Sequence, residues 1–241
     1  MSLEQWLLWA RGPLFLAAMA VLIAGTLRIL GLSIVNVLLL LRESRRNGRN
    51  VPWGTVLRAS LRYVIPASTA VQARGVFSIA SIVFHVAIIV TPLFLSAHVL
   101  LWQRGLQLSW LPWPTLPAAA ADVLSVIAVV SVVAMLVLRV GSAQARALSR
   151  FQDYFLPALI AVPFVSGLLA MHPAVNPFGY TATMLVHVLS GNLILVLIPF
   201  SKLSHVALFP FNQLISELGW HLKPGAGELV AADLGKENAP I

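Results

Sequence analysis

No cysteine occurs anywhere in the 241 residues. That excludes disulfides, covalent c-type haem attachment, and any iron–sulfur cluster or zinc held by thiolates of this chain. Charge is scarce too: Asp, Glu, Lys and Arg make up 10% of the residues, where an ordinary soluble domain has roughly a quarter. Repeats and low-complexity tracts are absent. What fills the sequence is apolar: 59% hydrophobic residues and a mean hydropathy of +0.89. This is the composition of a membrane protein.

Crossing the hydrocarbon takes about 20 predominantly apolar residues in a helix. Five stretches qualify, roughly 6–27, 77–101, 123–138, 154–170 and 181–201. The first is too long for a cleavable signal peptide, lacks a small-residue cleavage site, and is read as retained. Apolar text continues beyond Arg28 ("ILGLSIVNVLLLL"), so helix one is expected to run on past the bilayer towards Leu41, with Arg28 near a membrane surface. The expected fold is an all-α, five-transmembrane-helix bundle. Its membrane domain would cover residues 1–205 and a more polar C-terminal arm residues 206–241. The segment 55–73 is mildly amphipathic and suits a membrane surface.

The formal charge of +8 invites a nucleic-acid reading, but its distribution argues otherwise. Arg42, Arg45, Arg46, Arg49, Arg58, Arg62 and Arg74 lie between the first two spans, Arg139, Arg146 and Arg150 between the third and fourth, and Lys202, Lys223 and Lys236 after the fifth. Those 13 of the 16 basic residues share one side of a five-span chain. The positive-inside rule then puts the N-terminus outside and the C-terminus in the cytoplasm of a bacterial or archaeal-type inner membrane. The basic balance reports orientation, and nucleic acid drops out as a partner. The loops 103–117 and 171–180 fall outside, the former rich in Trp and Pro as an interfacial loop should be.

Four of the six histidines fall in or at the ends of two spans: His85 and His98 in the second, His187 and His205 in the fifth. A single histidine in a membrane helix is most often an interhelical hydrogen-bonding residue; two and two is a different pattern. Because the two spans run antiparallel, His85 comes level with His205 near the cytoplasmic face, and His98 with His187 near the outer face. Facing imidazoles are how a helical bundle holds a haem b. The angles are mixed. Eighteen residues separate His187 from His205, five whole turns on one face at 100° each; thirteen separate His85 from His98, about 220° and opposed faces. The rises differ as well, about 27 Å against about 20 Å. Pro92 and Pro199 are the places where kinks would absorb the mismatch. If the second-helix pair fails this test, one haem remains.

"GTLR" closing the first span, "FH" in the second, and above all "H…LIPFSKLSH" in the fifth resemble the gamma subunit of respiratory nitrate reductase. The resemblance runs over most of the chain and is specific in the fifth span. It implies a five-helix dihaem cytochrome b, with His85, His98, His187 and His205 as axial ligands, that oxidises quinol near the outer face and delivers electrons to a cytoplasmic-side iron–sulfur subunit. Reversed flow, reducing quinone, fits the same pattern. Nitrate as the acceptor is not implied: the second-span histidines are wider apart, the loop 42–74 is longer, and no outer lysine is present.

Beside the outer haem, His98, Arg104 and Asp122, with His172, are the quinol-site candidates, needing a proton acceptor and a polar anchor in an apolar cleft; for Arg104 and Asp122 the preferred reading is that they mark membrane boundaries. Arg28, Arg74 and Lys202 are placed to meet haem propionates or simply to anchor the cytoplasmic face. Gly191, one turn from His187, would let a flat macrocycle approach the backbone. The competing class is a haem-free membrane anchor, or a proton-relay or transport subunit, whose histidines hydrogen-bond between helices.

Overall fold

The computed structural model describes residues 1–46, 48, 50–64, 75–222 and 225–233. The helices are α1 (Leu3–Trp9), α2 (Phe15–Arg46), α3 (Trp53–Val64), α4 (Val76–Phe94), α5 (Ser96–Gly105), α6 (Ala118–Gly141), α7 (Ala143–Leu148), α8 (Gln152–Met171), α9 (Tyr180–Leu197), α10 (His205–Leu222) and α11 (Ala226–Asp233). Among the described residues, five helical stretches are long and apolar enough to cross a membrane: Leu3–Arg46, Val76–Phe94, Ala118–Gly141, Gln152–Met171 and Tyr180–Phe200. Helix one does continue past Leu41, running 44 residues to Arg46. It is interrupted by one π-helical turn, Ala10–Leu14, that contains Pro13. A proline there has no N–H to offer the carbonyl of Trp9, so the regular ladder opens.

The chain forms two compact units, Met1–Ile23 with Ser68–Leu203, and Ala24–Ala67 with Ser204–Ile241. In the first, α4 packs on α6, α6 on α8, α8 on α9, and α1 on α9. The core comprises Phe84, Ala87, Ala128, Val132, Met135, Ile160 and Phe164. Small residues at its contacts, such as Ala87 and Ala128, let helix backbones approach where lipid offers no hydrophobic drive to association. The third span displays both faces: Ala121, Ser125, Ala128, Val132 and Met135 are buried, while Val123, Val126, Val130, Val133, Val137 and Val140 are exposed at the same helical spacing. An exposed valine stripe of that length is compatible with an apolar surrounding. Three buried serine hydroxyls are returned to their own helices: Ser125 donates to Ala121 O, Ser166 to Val162 O and Ser190 to Val186 O.

In the second unit, Val56 of α3 and Leu218 of α10 are fully buried against each other, with Val37, Leu40, Leu41, Val51 and Leu214 around them. The amphipathic face of α3 is therefore spent on α10. The expected amphipathic segment beyond Val64 (residues 65–73) lies outside the described residues, as do Arg74 and residues 234–241.

The second of the expected spans is broken, and the fifth, Tyr180–Phe200, stops short of His205. The second ends at Phe94, Leu95 turns to extended backbone (φ −65°, ψ 126°), and α5 starts at Ser96. The fifth ends at Leu197 and passes through a 3-10 turn at Ile198–Phe200. It then goes through extended Ser201 (φ −129°, ψ −174°) and a second 3-10 turn, Lys202–Ser204, before α10 begins at His205. His187 and His205 thus belong to different helices. The one-face, five-turn relation expected between them does not hold, because Pro199 interrupts the helix that the relation assumed.

Candidate functional site

The break in the second span has donors waiting for it. Pro92 removes one helical N–H, and the extended Leu95 frees the carbonyls of the last turn. Trp113 Nε1 donates to Leu93 O (2.8 Å) and Leu116 N to Phe94 O (2.7 Å). The Trp113 ring also stacks on Phe94, 5.8 Å between centroids, and meets Trp102 edge-on at 5.3 Å. The Trp- and Pro-rich loop is therefore the partner that makes an interrupted helix tolerable in an apolar setting, where an unpaired carbonyl costs several kcal/mol. Gln103 Nε2 reinforces it by donating to Leu111 O (2.7 Å).

The functional consequence is the direction His98 faces. Placed on α5 beyond the break, it is freed from the helical phase of His85, and the 220° objection lapses. Its ring lies beside that of His187: the centroids are 5.7 Å apart and the planes 11° from parallel. His187 itself is held from α8. Its Nδ1 lies 2.7 Å from Pro163 O; a carbonyl only accepts, so Nδ1 carries the proton and Nε2 presents its lone pair. A histidine tied by one nitrogen to a backbone carbonyl, with the other bare, is the usual preparation of a metal ligand.

Three buried polar atoms at this end of the second span have no hydrogen-bond partner: His98 Nδ1, Thr91 Oγ1 and Trp102 Nε1. Buried polar atoms are nearly always paired, so these are positions where a water or another polar group would be accommodated. A metal-bearing group bound here would be held by His98 and His187, whose rings are stacked with centroids 5.7 Å apart. Among the described residues, no three His, Cys, Asp or Glu side chains gather as a metal site. A Cβ on Gly191 would meet nothing within 4 Å, so the helix face one turn below His187 is open.

The remaining candidates are distributed as follows. His85, on α4, has Nδ1 2.6 Å from Ser81 O, which fixes it in the same tautomer as His187. His205, exposed, opens α10 in the second unit, while His85 belongs to the first. Asp122 and His172 form a pair, Oδ2 to Nε2 at 3.5 Å, and His172 Nδ1 lies 2.8 Å from Leu168 O. Both side chains are more than a third exposed, so the contact reads first as a tie between α6 and α8 and contributes at most about 1 kcal/mol. Arg104 stands in the last turn of α5, where a cation complements the helix dipole.

Lys202, placed by the sequence either to meet a propionate or simply to anchor the cytoplasmic face, has its Nζ 2.7 and 2.6 Å from the two carboxylate oxygens of Asp153. Arg139 joins them, its Nη1 at 3.4 Å from Asp153 Oδ1 and donating to Asp153 O at 3.0 Å. That carbonyl is available because Pro157, four residues on, has no N–H to give it.

The sequence reading missed Asn192. Its side chain, 5% exposed, donates to Ala10 O (2.9 Å) and ties α9 to the π turn of helix one. An asparagine in the middle of an apolar span was the available signal. Arg11 Nη2 donates to Tyr180 Oη (3.2 Å) between the same two helices.

The fold defines the class: an all-α protein with five helices long and apolar enough to cross a membrane, in which the rings of His98 and His187 lie side by side. No known family profile matches the chain. A protein of Nitratidesulfovibrio vulgaris, strain Hildenborough, is 32% identical over 157 residues, which are 64% of this chain and 66% of that relative. The chain thus covers just under two thirds of its length. No solved structure matches.

Proposed function

We propose that the protein is the membrane cytochrome b subunit of a quinone-linked redox complex, carrying electrons between quinol or quinone near the outer face and an iron–sulfur partner on the cytoplasmic side. The observation that carries this reading is the pairing of His98 and His187, two rings 5.7 Å apart with the tautomer of one already fixed. Bound there, a haem b supplies reversible one-electron chemistry within the apolar layer. The chain's residues do the rest. Pro163 O holds the proton on His187 Nδ1, the break at Leu95 aims His98, and the 106–117 loop satisfies the carbonyls that the break exposes. His85 and His205 are proposed as the second axial pair from the sequence pattern and the family resemblance. The orientation, N-terminus outside, rests on the distribution of Lys and Arg.

A second reading is a haem-free membrane anchor or proton-relay subunit. The hydrogen bond from His187 to Pro163 O between two spans is what that reading expects. The reduced-minus-oxidised spectrum of the purified protein decides between them. A b-type α band, with close to two haems per chain, is the expected result. A colourless protein would sink the cytochrome reading. One haem per chain, lost in His98→Ala, would remove only the second pair. An α band untouched by His98→Ala and His187→Ala would place the haem elsewhere.

A further inference from the structure

Gly167, on α8, sits directly under the His187 ring. A Cβ built on it would lie 3.0 Å from both Cε1 and Nδ1 of His187 and 3.9 Å from Nε2, and these are the three nearest atoms it would meet. Ordinary carbon contacts are about 3.5–4.0 Å, so the imidazole occupies the space that any side chain at 167 would need. Other described glycines differ. Gly12, Gly31, Gly141, Gly191 and Gly219 would meet nothing within 4 Å, and Gly105 would meet apolar side chains of helix one. The acceptor for the same ring, Pro163 O, belongs to the residue one helical turn earlier on the same face of α8. One turn of α8 thus provides both the floor on which the ring rests and the carbonyl that fixes its proton.

Resting on the haem reading, we propose that Gly167 is a positioning residue: its missing side chain lets the His187 imidazole reach Pro163 O while facing His98. An alanine there pushes the ring off α8 by several tenths of an ångström. That lengthens the 2.7 Å hydrogen bond and changes the 5.7 Å, 11° relation to His98. A weaker Nδ1–H···O bond makes His187 a poorer electron donor to a bound metal, which stabilises the reduced state.

The test is a redox titration and low-spin EPR spectrum of the full-length protein carrying Gly167→Ala. The midpoint potential of one haem is expected to move to a more positive value and its EPR signal to shift, while the other haem keeps both. Ser125→Ala, which removes a buried hydroxyl that donates to Ala121 O of its own helix α6, should leave both haems unchanged. If wild-type protein carries haem and Gly167→Ala leaves both potentials and both EPR signals unmoved, the positioning role is overturned and the cytochrome reading stands. If wild-type protein carries no haem, the reading beneath it fails. Should Gly167→Ala not accumulate, it is placed in a His187→Met background, where a flexible side chain replaces the ring. Recovery of accumulation there supports the ring seat; failure in both backgrounds shows that Gly167 serves helix packing alone and overturns the proposal.

Discussion

Asn192 offers the sharpest test of how the bundle is closed. Asn192→Leu keeps roughly the same volume and removes only the amide that donates to Ala10 O at 2.9 Å. Ala10 is fully buried and Asn192 is 5% exposed, so neither water nor lipid reaches the carbonyl left behind. An unsatisfied buried acceptor costs about 1–3 kcal/mol, while interhelical hydrogen bonds in a membrane protein average about 0.6 and reach about 1.7 kcal/mol. The upper part of that second range applies here, because the π turn around Pro13 limits how the backbone can find another donor. The added apolar surface of leucine brings little compensation, since lipid tails are as apolar as leucine itself.

A loss of about 1–1.5 kcal/mol is therefore expected, roughly a tenfold shift in the unfolding equilibrium. SDS titration of the protein in mixed micelles measures it. Emission from Trp6 and Trp9, rings 5.6 Å apart and adjoining the π turn, serves as a local reporter. A destabilisation below about 0.3 kcal/mol would refute the claim that this bond closes the fifth span onto the first.

Two further perturbations probe the breaks that place the histidines. Trp113→Phe keeps the aromatic stack on Phe94 but deletes the donor to Leu93 O. It should lower the thermal unfolding midpoint by the equivalent of about 1 kcal/mol and weaken binding at His98; an unchanged melting curve would mean that the loop does not support the break. Asp153→Asn discharges the carboxylate that holds Lys202 and Arg139. With Lys202 half exposed, the stability change should stay near 1 kcal/mol, yet trypsin should cut after Lys202 several times faster, and a cleavage rate equal to wild type would show that the segment leading to His205 is held by other means.

Legibility differed sharply between span and site. The third span could be read almost completely, since its length, its bounding charges and its split into a small-residue face and a valine face are all local, periodic properties. The histidines were legible as chemistry but not as geometry. For the second span, an ideal helix put His85 and His98 on opposed faces, and Pro92 announced that something would give. The position of the break at Leu95 was set by the donors that Trp113 and Leu116 bring from about twenty residues further along. For the fifth span, the even five-turn interval looked like the cleaner case and was the one that dissolved, because Pro199 ends α9 before His205 is reached.

The sequence by itself determined the membrane class, the number of spans, the distribution of positive charge and the identities of the candidate ligands. These follow from composition and from runs of residues whose burial depends only on their own neighbours in the chain. Tertiary structure alone decided that Pro163 O fixes the tautomer, that Gly167 leaves room for the ring, and that Lys202 pairs with Asp153. Each of these depends on a carbonyl, a carboxylate or a missing Cβ contributed by another span. Contacts of that kind leave no periodic trace in either of the segments that make them.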